Sequence, residues 1–335
     1  MPSKLSSNGK FMDEEVMLEA DYELDRLPKK GTMNSSSLNC KNYMNFLFYF
    51  MNASLTYGIG TAAWFGTTTN GDLSEKYQTL VTPENIGFAI WGIVFLFQGL
   101  FAFVQLTSST RDVDMVQDGV GYWYLVTCAA QVGWSFAFGY EYIGMSVILI
   151  FVIWLSLAVI VYNQYCIRNR YDTMFEFWLL RFPFEVHCGW VSVATFLNIS
   201  VYVVKNNVTA SQQLTLGIVS LALLHLVTFW VLFGMSKPNF TIPSVIAWGM
   251  GWIYYKLQSP KDVLKSRFAP QVLTGVRDAA YVLFIFMIVQ IIVRLLFLLV
   301  NKLRRRNTVQ YTQELANAAT AHDDEYDGKE VFTIM

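Results

Sequence analysis

Charge is scarce in this chain. Asp, Glu, Lys and Arg make up 15% of its 335 residues, against about 25% in an ordinary soluble domain. The formal net charge is −1, and no basic patch marks a nucleic-acid binder, so nucleic acid is excluded as a partner. Cysteine is sparse too. Cys40, Cys128, Cys166 and Cys188 lie far apart without a CxxC pair, which excludes a disulfide framework. The three histidines (His187, His225, His322) have no carboxylate or thiol at metal-ligand spacing. No P-loop, no GxSxG and no GxGxxG opening a helix occurs. These gaps leave an enzyme unsupported and call for no cofactor and no metal. An early apolar core is missing as well: the first 40 residues are polar, with an acidic run from Asp13 to Asp25 and then Lys29-Lys30. Neither a cleavable signal peptide nor a mitochondrial presequence is expected from them.

Apolar residues are abundant. They make up 54% of the chain, whose mean hydropathy is +0.37. They gather in blocks of about 17–27 residues, each able to cross a hydrocarbon core of about 30 Å as a helix. The alternating runs of membrane strands are absent. The reading is an all-α polytopic membrane protein, with spans near 43–66, 84–106, 121–139, 142–164, 177–203, 213–236, 241–257 and 274–300. The seventh is short and Gly-rich (Trp248-Gly249-Met250-Gly251-Trp252), so either crossing or a re-entrant course fits it. Residues 1–42 read as a disordered cytosolic extension, 43–205 as a five-helix bundle, 206–301 as additional membrane helices and 302–335 as a cytosolic tail. The tail ends in Thr333-Ile334-Met335, a weak match to a PDZ ligand.

Orientation follows from the basic residues. Of the 24 Lys and Arg, 15 fall on the side of the termini and even-numbered loops, 7 fall opposite, and Arg181 and Arg294 lie within spans. Both termini are then cytosolic. The basic segment from Lys256 to Arg277 opposes this assignment, whereas the sequon Asn207-Val208-Thr209 agrees with it by falling outside. The membrane expected is the plasma membrane or an endomembrane.

Three passages carry the functional signal. Thr82-Pro83 precedes Phe88-Ala89-Ile90-Trp91-Gly92 in the second span, where Trp91 and Phe95 share a helical face. Gln131 and Trp134-Ser135 occupy the third. The fifth carries Trp190-Val191-Ser192-Val193-Ala194-Thr195 with Asn198, and Trp190, Ala194 and Asn198 form one stripe. Aromatic plates with a few amides in apolar helices suit a pocket for a flat hydrophobic ligand. Helix packing is the plainer explanation for any single Trp, and interhelical bonding for any single amide. Arg181 and Glu185, four apart, can neutralise each other inside the bilayer, with His187 nearby on another face. Arg294, close to the Lys302–Arg306 cluster, reads as a snorkelling residue. Leu197, Tyr202 and Lys205 fit a weak sterol-contact pattern.

Together these residues resemble the TspO/MBR family, the tryptophan-rich sensory proteins that include the translocator protein, or peripheral benzodiazepine receptor. The resemblance covers about Tyr77 to Lys205, with the first span as first helix. It rests on Thr82-Pro83 through Phe88, Trp91 and Gly92, on Gln131 with Trp134-Ser135, and most specifically on Trp190-Val191-Ser192-Val193-Ala194-Thr195-x-x-Asn198. It implies a TspO-like five-helix bundle that binds porphyrins, sterols and aromatic ligands, often as a homodimer. By position, Trp91, Phe95, Gln131, Trp134, Trp190 and Ala194 would line the pocket; the mechanism expected is stacking on Trp91, Trp134 and Trp190, with Gln131 and Asn198 fixing orientation by hydrogen bonds. Leu197, Tyr202 and Lys205 would match its cholesterol-contact segment. Typical members stop after the fifth helix, whereas this chain continues through about three more spans. The expected function is binding of a planar tetrapyrrole or membrane sterol for sensing or transfer. The alternative is a small-molecule transporter or channel that uses Arg181, Glu185 and His187.

Overall fold

The computed structural model describes residues 38–167 and 173–330. Residues 1–37 of the extension assigned to 1–42, the basic Arg168 and Arg170, and the terminal Thr333-Ile334-Met335 lie outside the described residues. Among the described residues there is no β-strand. The helices are α1 (Cys40–Ala62), α2 (Asn70–Lys76), α3 (Ile90–Val104), α4 (Trp123–Gly139), α5 (Ile143–Ile167), α6 (Phe182–Lys205), α7 (Ala210–Phe229), α8 (Thr241–Gln258), α9 (Asp262–Arg267) and α10 (Pro270–Glu330).

Five stretches are long and apolar enough to cross a membrane on their own: Asn85–Val104, Ile143–Ile167, Glu176–Lys205, Ala210–Gly234 and Pro270–Thr308. The chain is an integral, multi-pass, all-α membrane protein. Helices α1, α4 and α8 fall outside that set, and α1 shows one reason. Its Asn42, Asn45, Tyr49, Asn52 and Thr56 recur at steps of three and four, so they form one polar face. That face turns inward. Asn42 Nδ2 donates to the Gln105 carbonyl (3.1 Å), Asn45 Nδ2 to Gln105 Oε1 (3.4 Å), the Tyr49 hydroxyl to the Phe95 carbonyl (2.9 Å) and Asn52 Nδ2 to Gln131 Oε1 (3.2 Å). The polar groups that lower its hydropathy therefore hold α1 to α3 and α4.

Helix α8 (Thr241–Gln258) is tied to neighbouring elements at both of its ends. At one end the Thr241 hydroxyl donates to Glu185 Oε2 (2.7 Å), and Ser236, just before it, bonds Tyr165 at the end of α5 (2.8 Å). At the other end Lys256 pairs with Glu84 (3.3 Å) and the Trp252 carbonyl accepts from Glu84 N–H (3.1 Å). The loop after α8 joins the same end through Lys261 with Glu75 and Arg267 with Gln213 (3.0 Å). Odd-numbered loops thus meet at one end. The basic segment that opposed the orientation assignment is partly neutralised there by Glu75 and Glu84.

The expected ends shift for local reasons. The first helix stops at Ala62 rather than 66, because Ala63 and Phe65 take left-handed φ values of 53° and 60°. The second begins at Ile90 rather than 84, since residues Asn85–Ala89 form a 3-10 turn after Pro83. The last does not end near 300. It continues to Glu330 through a stretch rich in the helix formers Arg, Gln, Glu, Leu and Ala and free of Pro.

Helix α6 sits at the centre. Every residue from Pro183 to Val193 is buried, and the helix packs against α3, α5, α7 and α8. Small residues bring α6 and α8 close. A Cβ on Gly189 would stand 2.9 Å from Val245 Cβ, and one on Gly249 would stand 3.0 Å from Val193 Cγ2. With lipid as apolar as the core, such close packing and interhelical bonds supply the association.

Candidate functional site

The aromatic residues singled out in the sequence meet in the seam between α3 and α6. Trp91 stacks on Phe95 (centroids 5.8 Å, 29°) and presents to the edge of His187 (5.5 Å). Phe88 meets Trp190 edge-on at 5.6 Å, and Tyr57 of α1 closes on Phe95 at 5.0 Å. Their order along the chain explains this. Phe88, Trp91 and Phe95 recur at three and four, as do His187, Trp190 and Ala194, so two aromatic faces oppose each other. Trp190 is 1% exposed, whereas Trp91 and Ala194 are half-buried.

Below the rings runs a chain of polar groups that sequence reasoning missed. The Tyr124 hydroxyl donates to Gln98 Oε1 (3.3 Å), and Gln98 Nε2 lies 2.8 Å from His187 Nδ1. With that amide oriented by Tyr124, Gln98 donates to Nδ1 and the proton of neutral His187 resides on Nε2. Among the residues of the three sequence passages and the ionisable trio, His187 Nε2, Trp190 Nε1 and Gln131 Nε2 are buried nitrogens without partners. Each unmade bond costs about 1–3 kcal/mol. Gln98 stands seven residues after Trp91 on the same face of α3, but nothing in the sequence links it to Tyr124 or His187.

Trp134 and Asn198 are brought together, yet they satisfy each other. Trp134 Nε1 donates to Asn198 Oδ1 (2.7 Å), and Asn198 Nδ2 donates to Ser146 Oγ on α5 (2.9 Å). Trp134 also stacks on Phe138 (5.0 Å, 12°) in a small cluster with Leu73, Ile143, Val201 and Leu197.

Tyr202 and Lys205 are exposed and line an open recess with Tyr142 and Met145 at the turn between α4 and α5. Lys205 donates there to the Glu141 carbonyl. The Glu141 carboxylate takes Lys76 at 2.7 Å and the Tyr77 hydroxyl at 2.5 Å. The Lys76 hydrogen bond, followed by that from Tyr77, holds the Glu141 carboxyl below the usual carboxylate range.

The ionisable trio separates. Arg181 Nη2 bonds Glu185 Oε1 at 2.7 Å, both buried, and Glu185 Oε2 takes Thr241 on the side of α8. His187 faces α3 instead. Arg181 ends a π-helical turn, Glu176–Arg181, that leads into α6. Among the described residues no group of three His, Cys, Asp or Glu side chains converges.

A family model described as TSPO-like protein matches residues 42–293. No curated protein and no solved structure matches. The matched segment extends well past Lys205, where the resemblance in the sequence was expected to end. It takes in α7, α8 and the first part of α10, so the later helices belong to the matched unit.

Proposed function

The chain belongs to the TSPO-like family, and from that premise we propose that it binds a planar hydrophobic ligand, a tetrapyrrole or a sterol, between α1, α3, α4 and α6 for sensing or transfer. The observation that carries this reading is the set of unpartnered nitrogens at His187, Trp190 and Gln131 among apolar rings. A ligand with a flat apolar body and a few acceptor oxygens supplies what these groups lack. Trp91 and Phe95 would part to stack on the ring system. The N–H groups of His187 and Trp190 would then receive carboxylate or hydroxyl oxygens, and Ala194 would leave room beside them.

In this reading Trp134 and Asn198 shape the wall through their mutual bond rather than by touching ligand. Tyr202 and Lys205 would contact membrane sterol at the outer recess, with Leu197 supporting them from within. Transport by way of Arg181, Glu185 and His187 has less support, because the ion pair is bonded toward α8 and the histidine faces α3.

The test is tryptophan-fluorescence quenching of the purified chain with protoporphyrin IX and, separately, with a sterol analogue. Wild type is expected to show saturable quenching. His187→Phe keeps the ring but removes the N–H, and should weaken binding about tenfold, as loss of one buried hydrogen bond does. Absence of saturable quenching by both ligands, or identical affinity in His187→Phe, would rule out the pocket as drawn.

A further inference from the structure

The packed seam between α7 and α10 contains buried polar atoms that have no partner within it. Two ring contacts set its register. His225 stacks on Phe286 (5.2 Å, 24°), and the Arg294 guanidinium lies 5.7 Å from the ring of Phe233, in the π-helical turn that continues α7. The α10 partner is 61 positions later in both pairs (286 − 225 and 294 − 233), so the helices run parallel and in step. Thr228 and Gln290 fall between those two levels.

His225 Nδ1, Thr228 Oγ1, Gln290 Oε1 and Arg294 Nε are all buried without a partner. Arg294 also rests 5.5 Å from Phe297, and among the described residues no carboxylate pairs with it. Snorkelling accounts for an arginine near a helix end. It does not account for a threonine and a glutamine orphaned beside it. Eight residues separate Arg294 from Lys302, about 12 Å along a helix, and the exposed Lys302, Arg304 and Arg306 follow. From the basic end inward the seam therefore offers a cation, then a hydroxyl and an amide, then rings.

That order matches one kind of molecule. We propose that the α7–α10 seam is a binding site for an acidic glycerophospholipid, whose phosphate takes Arg294 and whose ester carbonyls take Thr228 and Gln290. The acyl chains lie on the exposed apolar faces at Leu226, Phe229 and Val293. The anionic head is drawn to this end by the Lys302–Arg306 cluster. The site is independent of the inner pocket.

The test is native mass spectrometry of the full chain in neutral detergent with one equivalent of dioleoylphosphatidylglycerol, dioleoylphosphatidylcholine or oleate. Wild type is expected to retain one phosphatidylglycerol and little phosphatidylcholine. Arg294→Gln should lose at least about tenfold in affinity, the worth of one charge-assisted hydrogen bond, with protoporphyrin quenching unchanged. Thr228→Val, close in shape to the native side chain, should weaken binding less and carries the test if Arg294→Gln does not fold. Equal retention of phosphatidylcholine, or unchanged binding in both variants, would overturn the site. So would loss confined to a Lys302→Gln/Arg304→Gln/Arg306→Gln variant, which would place the charge effect in the basic cluster. Retention of oleate in place of phosphatidylglycerol would reject the glycerophospholipid. A protein subunit that co-elutes with wild type alone, without lipid, would make Arg294 a helix-pairing residue instead.

Discussion

Trp134 and Asn198, sixty-four positions apart, are joined by a 2.7 Å hydrogen bond from the indole to the amide oxygen. Both belong to the motifs that suggest a ligand, yet each is already occupied by the other. Asn198→Ala is expected to lower the stability of the ligand-free protein by about 1–2 kcal/mol, since it strands the Trp134 indole in an apolar wall, whereas Ser146 keeps its bond to the Ile143 carbonyl. In a Trp134→Phe background the same change should cost less. Unfolding in mixed micelles measures both, and an unchanged Asn198→Ala protein would return Asn198 to the ligand.

The Arg181–Glu185 pair is buried at both ends. Glu185→Leu should cost about 3–5 kcal/mol, because it removes the buried carboxylate that Arg181 and Thr241 share. The double variant Arg181→Met/Glu185→Leu should recover most of that loss. A double variant no more stable than the single one would show that Arg181 is held chiefly by other groups.

The segment that leads into Trp91 is fastened by α8. Lys256 pairs with Glu84, and the Trp248 indole donates to the Gly87 carbonyl (3.0 Å). Trp248→Phe removes that bond while retaining an aromatic ring. Amide exchange over residues 84–89 is expected to rise about fivefold to tenfold, in line with loss of roughly 1–1.5 kcal/mol. Ligand association should quicken with it if this segment gates the pocket. Unaltered exchange would assign the anchoring to Glu84 alone.

Lys76, Glu141 and Tyr77 give the end carrying the odd-numbered loops a dependence on pH. The carboxyl of Glu141 is held low and the Lys76 ammonium is held high, each first by their mutual hydrogen bond. The carboxylate's contribution is complete above the ordinary Glu value of about 4.3 and fades as pH falls through its lower folded value. The ammonium's contribution is complete below about 10.4 and fades as pH rises through its higher folded value. The gap in melting temperature between wild type and Glu141→Gln should thus be constant from about pH 5 to 10 and close below that range. A gap that does not narrow as pH falls would show that the charge of the Glu141 carboxylate is not what stabilises this end.

Much of the fold could be read from apolar runs, because a bilayer demands uninterrupted helix and lipid-facing residues must be apolar. The long runs near 142–164, 213–236 and 274–300 correspond to α5, α7 and the first part of α10. The course of α8 could not be read that way. Its short run includes Gly249, which packs against Val193 of α6, while Gly189 of α6 packs against Val245 of α8, contacts visible only in three dimensions. The aromatic half of the candidate site was legible, since Trp91, Phe95 and Trp190 announce themselves by rarity and spacing. Its polar half was not, because Gln98 and Tyr124 matter only through one another and His187. The stripe from Asn42 to Thr56 has a readable period of three and four, but its partners Gln105, Phe95 and Gln131 lie on other helices.

That stripe also constrains how the protein is made. Asn45 and Asn52 must find Gln105 and Gln131, 60 and 79 residues further along. At about 5–20 residues per second of synthesis, the second of these partners emerges about 4–16 s after Asn52. Until then the first helix carries unsatisfied amides into the translocon, so it should linger there or at the interface and be released sideways only together with its third-span neighbour.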